Sequence, residues 1–160
     1  MTYRIGFGTD YHQLAAGKKL WLGGVHIPHE KGSVGHSDAD VLLHAICDAM
    51  LGALNLGDIG SHFPDTDAAY KDIDSKILLE RTFQLIREKG FNIENLDSTI
   101  CLERPKIMGY ANQMRQIIAD ILNTSPEVIS IKATTTEKLG FVGREEGVVA
   151  HAVVLLKKPE

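Results

Sequence analysis

Two short stretches of the chain combine side chains that bind metal ions. Asp10 and His12 lie two residues apart in GTDYH, just after a predicted strand, so both point to the same side if the extended geometry continues. Asp40, His44 and Asp48 follow at intervals of four along an otherwise apolar segment, and on a helix this spacing places them in one seam. One carboxylate with two imidazoles is a common zinc-binding set, and an open fourth position is typical of catalytic zinc.

The helix seam has a structural interpretation as well. Asp40 could help to cap the helix, and His44 and Asp48 could hydrogen-bond each other in a satisfied core. Buried carboxylates are costly unless they are paired or bind a cation, so the seam needs a partner in either case. Four of the other five histidines have no acidic or glycine context that singles them out, and we interpret them as surface or strand residues: His26, His29, His62 and His151.

A third stretch, ATTTEKLGFVGRE at 133–145, has the composition of an anion-binding loop. Its threonines offer hydroxyls and backbone N–H groups, and its glycines let the backbone approach an anion. Glu137 could hold a hard cation, and Lys138 or Arg144 could face a phosphate. A hairpin loop with solvated charges has the same composition. Together with the zinc-type set, the loop indicates metal-assisted phosphoryl chemistry.

Composition limits the class of protein. The 160 residues are 44% hydrophobic, which suits one domain covering 1–160 with a substantial core. A net charge of -4 and the lack of a basic block argue against nucleic-acid binding and against a membrane surface. Cys47 and Cys101 are far apart in apolar contexts, and with no leader pattern or spanning segment they predict buried thiols in a cytoplasmic protein.

The elements that position these residues alternate between strands and helices. Ser37 is the expected N-cap, with Asp40 at the capping-box position, of a helix that runs to about Leu54. Further helices are predicted at 75–90 and about 110–122, and strands at 3–7, 19–27 (in two pieces around Gly23 and Gly24), 96–103, 128–134 and 148–156. The segments 57–74 and 135–147 are expected to be loops. This order favours an α+β sandwich, a mainly antiparallel sheet with helices on one face.

Five motifs together resemble the 2-C-methyl-D-erythritol 2,4-cyclodiphosphate synthase family over essentially the full length of the chain. They are DxH at 10–12, HSDADVLLH at 36–44, GDIGSHFPDTD at 57–67, ERPK at 103–106 and KATTTEKLGFVGR at 132–144. Phe7, Thr9 and Ala39 depart from the residues usual in the family, so the pocket wall near Phe7 and Thr9 is expected to differ.

The resemblance implies a homotrimeric enzyme of the non-mevalonate isoprenoid pathway. Its substrate would be 4-diphosphocytidyl-2-C-methyl-D-erythritol 2-phosphate, which is cyclised to 2-C-methyl-D-erythritol 2,4-cyclodiphosphate with release of CMP. Active sites would lie at subunit interfaces. The family also has a channel along the trimer axis, where an isoprenoid diphosphate could bind with Arg144 at one end.

The resemblance also implies residue roles. Asp10, His12 and His44 would bind Zn²⁺, and Glu137 would help to hold a second cation, Mg²⁺ or Mn²⁺. His36 and Thr135 match positions that stabilise the transition state. Asp40 and Asp48 are expected to orient the zinc ligands. The positions that match substrate contacts are Ser37, Asp58, Ile59, Gly60, Phe63, Pro64, Asp65, Thr66, Asp67, Leu102, Glu103, Arg104, Pro105, Lys106, Ile107, Met108, Ala133, Thr134, Thr136, Phe141 and Arg144.

Two other functions fit the same residues. A metal-dependent phosphodiesterase or pyrophosphatase could use the zinc set to activate water, and it would release CMP without a cyclic product. A non-catalytic trimer could bind diphosphates around a structural zinc ion.

Overall fold

A five-stranded sheet with the spatial order β4-β1-β7-β5-β6 forms the centre of the fold, and β2 and β3 form a separate pair. The computed structural model describes residues 1–160. The strands are β1 Thr2–Ala16, β2 Leu20–Leu22, β3 Val25–Ile27, β4 Lys31–Val34, β5 Asn92–Cys101, β6 Ile129–Thr134 and β7 Gly147–Lys158. The β5–β6 pair is parallel and every other pair is antiparallel, so the expected α+β class with a mainly antiparallel sheet is confirmed.

Five α-helices connect or cover the strands. They are α1 Val41–Ala53, α2 Ile59–His62, α3 Ser75–Glu88, α4 Ala111–Ile121 and α5 Gly140–Gly143. Helix α3 agrees with its prediction: the Asp74 side chain caps its first turn, and Gly90 follows its end with a φ of 83°. None of the helices is long and apolar enough to cross a membrane.

The structure differs from the sequence-based prediction in three places. Strand β1 has 15 residues rather than five, because it pairs with β7 continuously from Thr2 to Gln13 despite its glycines and polar side chains. Strand β4 was not predicted. The two predicted loops contain the short helices α2 and α5, since single turns carry too little periodicity to be recognised.

Asp40, and not Ser37, is the N-cap of α1. The Asp40 backbone is extended, and its Oδ1 accepts a hydrogen bond of 3.1 Å from the Leu43 N–H. Ser37 lies three residues earlier, where its Oγ accepts from the Ala39 N–H. As the apolar circumference predicts, α1 is buried on almost all sides. Cys47 lies inside it, whereas Cys101 is only half-buried.

Two glycines of β1 bring α1 close to the sheet. A Cβ on Gly6 would lie 1.8 Å from the Ala49 carbonyl oxygen, and one on Gly8 would lie 2.0 Å from the Ala45 carbonyl oxygen. Both distances are far below van der Waals contact, so α1 can lie this close to β1 only because these side chains are absent.

We therefore expect Gly8→Ala to destabilise the protein. The added methyl must push the α1 backbone away from β1, and overpacking of this kind typically costs about 1–3 kcal/mol in the free energy of unfolding, measurable by urea denaturation. Gly52→Ala is the matched control: it lies in α1, is exposed, and its Cβ would meet only the Phe7 carbonyl oxygen at 3.9 Å. That change should stabilise the helix by about 0.5–1 kcal/mol. Equal stability of the two variants would contradict the close-packing argument.

The opposite face of the sheet exposes a large apolar surface. Ile5 and Phe7 on β1 are 72% and 60% exposed, and Tyr3, Tyr11 and Val153 are also exposed. Exposed apolar patches of this kind mark interaction surfaces.

Candidate metal centre and adjoining cavities

Strand β1 and helix α1 bring Asp10, His12 and His44 together. Asp10 and His12 lie opposite Ala150 and Val148 of β7, two residues of the buried face on which α1 packs. The Asp10 Oδ2 atom is 2.9 Å from His12 Nε2 and 3.2 Å from His44 Nδ1, and the two nitrogens are 3.3 Å apart. The geometry of the sheet and helix thus assembles one carboxylate and two imidazoles from residues 34 positions apart.

This triangle of donor atoms has the dimensions of a tetrahedral zinc site. Zinc bonds of about 2.0–2.2 Å to nitrogen and oxygen place neighbouring ligand atoms about 3.3–3.6 Å apart. The three observed separations approach those values, and no other group of three or more histidine, cysteine or acidic side chains converges in this way. The residues therefore fit a zinc ion, and two of them, His12 and His44, also line the adjoining cavity.

The charge state of Asp10 suits a cation, whereas the raised pKa of His12 favours the protonated imidazole, whose proton a metal ion would have to displace. Burial raises the pKa of Asp10, but hydrogen bonds and charges from His12 and His44 outweigh it and lower the pKa to about 2. Burial lowers the pKa of His12, while the hydrogen bond to Asp10 has the opposite effect and the net change is upward. Asp10 is consequently ionised at neutral pH, as a metal ligand must be.

The far nitrogen of each imidazole is held by the protein. His12 Nδ1 lies 3.0 Å from the Val34 carbonyl oxygen. His44 Nε2 lies 2.8 Å from Ser75 Oγ and 3.2 Å from Ser37 Oγ. These contacts aim His12 Nε2 and His44 Nδ1 at Asp10, the arrangement by which outer hydrogen bonds orient metal-binding histidines.

The carboxylates of Asp40 and Asp48 make no hydrogen bond to the zinc-type cluster, and their expected role in orienting it stays a prediction. The Asp40 carboxylate accepts hydrogen bonds from the Gly23 N–H and Gly24 N–H at 2.9 and 2.7 Å and from the Leu43 N–H. Its pKa is raised by burial. Asp48 accepts from the Ile59 N–H at 2.7 Å. The seam therefore ties α1 to the β2–β3 turn and to α2.

A cavity of about 570 Å³ adjoins the cluster. His12 and His44 line it, together with eight of the residues expected to contact substrate or transition state: His36, Ser37, Ile59, Gly60, Phe63, Pro64, Asp65 and Thr66. The side chains of Asp58 and Asp67 cap short helical turns by accepting from the Ser61 and Ala69 N–H groups, and their contact with substrate stays a prediction. The Asp67 carbonyl oxygen lies 3.3 Å from His36 Nε2.

A second cavity, of about 350 Å³, lies between the 102–108 segment and the end of β6. It is lined by Leu102, Glu103, Pro105, Lys106, Ile107, Met108, Ala133, Thr134 and Thr135. Glu103 Oε2 is buried there without a hydrogen-bond partner. The two cavities have no lining residue in common, so His36 and Thr135 face different spaces within one chain.

Two of the residues predicted to contact substrate, Arg104 and Thr136, bind other groups of the protein. Arg104 forms a two-pronged ion pair with Glu145, at 2.5 and 2.8 Å, and also reaches Glu30 at 3.2 Å. Thr136 Oγ1 donates to the Leu139 carbonyl oxygen at 2.7 Å. Neither residue lines the cavity, and their contact with substrate stays a prediction.

The last three expected site residues lie on the segment between β6 and β7. Glu137 is exposed, and its N–H donates to Thr135 Oγ1 at 3.3 Å. Phe141 packs against Tyr11 at 6.2 Å between ring centres and, with His12, lines a third hollow. The Arg144 guanidinium donates to both carboxylate oxygens of Glu146.

Comparison with known proteins identifies the family of the chain. The family model described as YgbB family matches residues 3–157. The chain belongs to the YgbB family. A relative from Bacteroides fragilis named 2-C-methyl-D-erythritol 2,4-cyclodiphosphate synthase is 58% identical over 158 residues, covering 99% of each chain. These findings confirm the resemblance stated from the motifs.

Solved structures of YgbB-like chains share the fold. The bifunctional IspDF from Campylobacter jejuni aligns with a TM-score of 0.95 and 41% identity, over 99% of this chain and 43% of that one. The Plasmodium falciparum IspF CDP complex aligns with a TM-score of 0.87 and 35% identity, over 99% of this chain and 97% of that one.

The structure adds residues to the candidate site that sequence reasoning missed. Tyr70, Ile73 and Leu78 line the larger cavity, and they come from the segment interpreted as a loop and from α3. Ser75 touches His44. No sequence signal identifies these residues, because their roles arise from packing α3 against α1.

Proposed function

We propose that this chain converts 4-diphosphocytidyl-2-C-methyl-D-erythritol 2-phosphate to 2-C-methyl-D-erythritol 2,4-cyclodiphosphate and CMP, as a phosphorus–oxygen lyase. The proposal assigns the whole of 1–160 to one catalytic domain. The observation that carries it is the Asp10, His12 and His44 triangle opening on the larger cavity, in a chain 58% identical to a relative of that name.

The reaction needs positioning and charge neutralisation more than a protein nucleophile. An oxygen of the 2-phosphate attacks the β-phosphorus, and the bond from that phosphorus to the bridging oxygen breaks, so CMP leaves with the bridging oxygen. Because both groups belong to one substrate, proximity is built in. Asp10, His12 and His44 would hold the zinc ion, which when bound supplies Lewis acidity to phosphoryl oxygens.

The cavities supply the remaining contacts. Phe63, Pro64 and Ile59 offer an apolar wall for the methylerythritol carbons in the larger cavity. Lys106 brings a positive charge to the smaller cavity, which suits a nucleotide diphosphate. In support, the structure of the Plasmodium falciparum relative is a CDP complex.

We further propose that the active enzyme is a homotrimer with sites shared between subunits. The apolar face around Ile5 and Phe7 supports this, because it remains uncovered in one chain. The separation of the two cavities supports it as well, because a substrate with a sugar phosphate at one end and a cytidine at the other must contact both kinds of surface.

Product analysis tests the reaction directly. Incubation of the zinc- and magnesium-loaded protein with the cytidyl substrate should give a cyclic diphosphate by phosphorus NMR, and a chelator should abolish it. CMP released with a linear phosphate product would indicate the phosphodiesterase or pyrophosphatase alternative. Release of CMP at the background rate would indicate the binding protein.

A second cation, Mg²⁺ or Mn²⁺, is proposed to bind with the help of Glu137. Glu137→Gln removes a hard carboxylate oxygen and leaves Asp10, His12 and His44 untouched. We expect the variant to retain one zinc per chain and to need at least about tenfold more magnesium for half-maximal activity. Glu127→Gln is a control, since Glu127 is an exposed acid beside β6. An unchanged magnesium requirement in Glu137→Gln would remove Glu137 from the second cation site.

A further inference from the structure

The hydrogen bonds behind His44 continue beyond Ser75 to a second acid, Asp38. Asp38 Oδ2 accepts the Ser75 N–H at 3.0 Å, and Asp38 Oδ1 accepts the Ser75 hydroxyl and the Asp40 N–H at 3.2 Å. Ser75 is the first residue of α3 and is fully buried. Asp38, Ser75 and His44 therefore form a continuous chain of contacts that joins the start of α3 to the metal centre.

The single hydroxyl proton of Ser75 determines which groups donate and which accept in these hydrogen bonds. A carboxylate can only accept hydrogen bonds, so the Ser75 proton points to Asp38. The Ser75 oxygen is then left to accept, and the group 2.8 Å away is His44 Nε2. Nε2 must carry the imidazole proton, which leaves a lone pair on Nδ1, the nitrogen that faces Asp10 and His12.

Ser37 also lies near His44 Nε2, at 3.2 Å, but it has no acidic group behind it. Its Oγ accepts from the Ala39 N–H, and nothing in that contact determines where its own proton points. Only the hydrogen bonds that run from Asp38 through Ser75 to His44 select one of the two imidazole tautomers.

We propose that Asp38 and Ser75 are positioning residues that hold His44 in the tautomer whose Nδ1 lone pair faces the cation site. This inference rests on the proposed function only in that the cluster is taken to bind zinc. Asp40 and Asp48, the two acids on the helix seam, do not contribute to it.

Asp38→Ala should release the hydroxyl proton of Ser75. Alanine offers that hydroxyl no acceptor, so its proton can turn toward His44 Nε2, 2.8 Å away. The imidazole proton is then no longer held on Nε2, and the tautomer with the proton on Nδ1, the nitrogen that would bind zinc, becomes populated.

Two measurements test the proposal. Competition with a chromophoric chelator should show a zinc Kd about 10–100-fold higher in Asp38→Ala than in the wild type. Long-range ¹H–¹⁵N spectra of the zinc-free proteins should show the proton of neutral His44 on Nε2 in the wild type and a substantial population with the proton on Nδ1 in the variant. If the variant retains the wild-type tautomer, or binds zinc equally well, the proposal is overturned.

Serine variants provide the controls. Ser75→Ala should weaken zinc binding as well, and Ser75→Thr should restore it because the hydroxyl returns. Ser98→Ala removes another buried hydroxyl, which donates at 2.9 Å to the Ser130 carbonyl oxygen of β6, and should leave the zinc Kd unchanged. A wild type that binds no zinc would refute the proposed metal centre, whereas the tautomer of His44 would still decide the role of Asp38.

Discussion

His44→Ala is expected to lower the zinc content to well under one per chain and to abolish cyclisation, while the protein stays folded. The change removes one of three ligand atoms that lie within 3.3 Å of one another. Two remaining ligands cannot hold zinc at micromolar concentrations in a site that needs three protein donors and an open position. Metal analysis of the purified protein and phosphorus NMR of the reaction measure the two effects.

Controls separate loss of the ligand from loss of the fold. His44 is buried, so the alanine variant leaves a small cavity that could destabilise α1. Asp10→Asn keeps the side-chain shape and should also lose zinc, because an amide is a poor zinc ligand. His26→Ala removes an exposed histidine of β3 and should retain both zinc and activity. Full zinc occupancy in His44→Ala would disprove the assignment of the cluster.

The metal cluster was predictable because it follows from short-range periodicity. A two-residue step on a strand and a four-residue step on a helix place side chains on known faces. Only the pairing of β1 with α1 had to be supplied by the fold. Gly6 and Gly8 are the sequence features that allow this packing, since any side chain at these positions would keep the helix away from β1.

The sequence does not predict the hydrogen-bond and ion-pair partners of individual polar side chains, and the roles that depend on those partners were therefore not predictable. Arg104 sits in a motif that suits a nucleotide pocket, yet its guanidinium pairs with Glu145, 41 residues later. Asp40 was placed beside the metal by its spacing, but the β2–β3 turn offers two N–H groups that its carboxylate satisfies instead. In each case an opposing group distant in sequence determines the outcome.

Mixed trimers test whether active sites are shared between subunits. A three-fold ring makes each interface heterologous. Each site would therefore join the zinc half of one chain to the nucleotide half of the next, where the zinc half is Asp10, His12 and His44 and the nucleotide half is Lys106, Thr134 and Thr135. His44→Ala lacks only the zinc half, and a variant altered at Thr135 and Lys106 lacks only the nucleotide half. Each protein alone is expected to be inactive.

Co-refolding the two inactive proteins should restore activity. With random 1:1 mixing, an intact zinc half meets an intact nucleotide half at roughly one quarter of the interfaces, from the ring symmetry alone. Recovery near that fraction of the wild-type rate is the expected result, with mixed trimers verified by native mass spectrometry. Two zinc-half variants, His44→Ala and Asp10→Asn, form the matched control and should recover nothing. Mixed trimers without activity would place each site within a single chain, and the two separate cavities would then have to be joined by movement of the segments that line them.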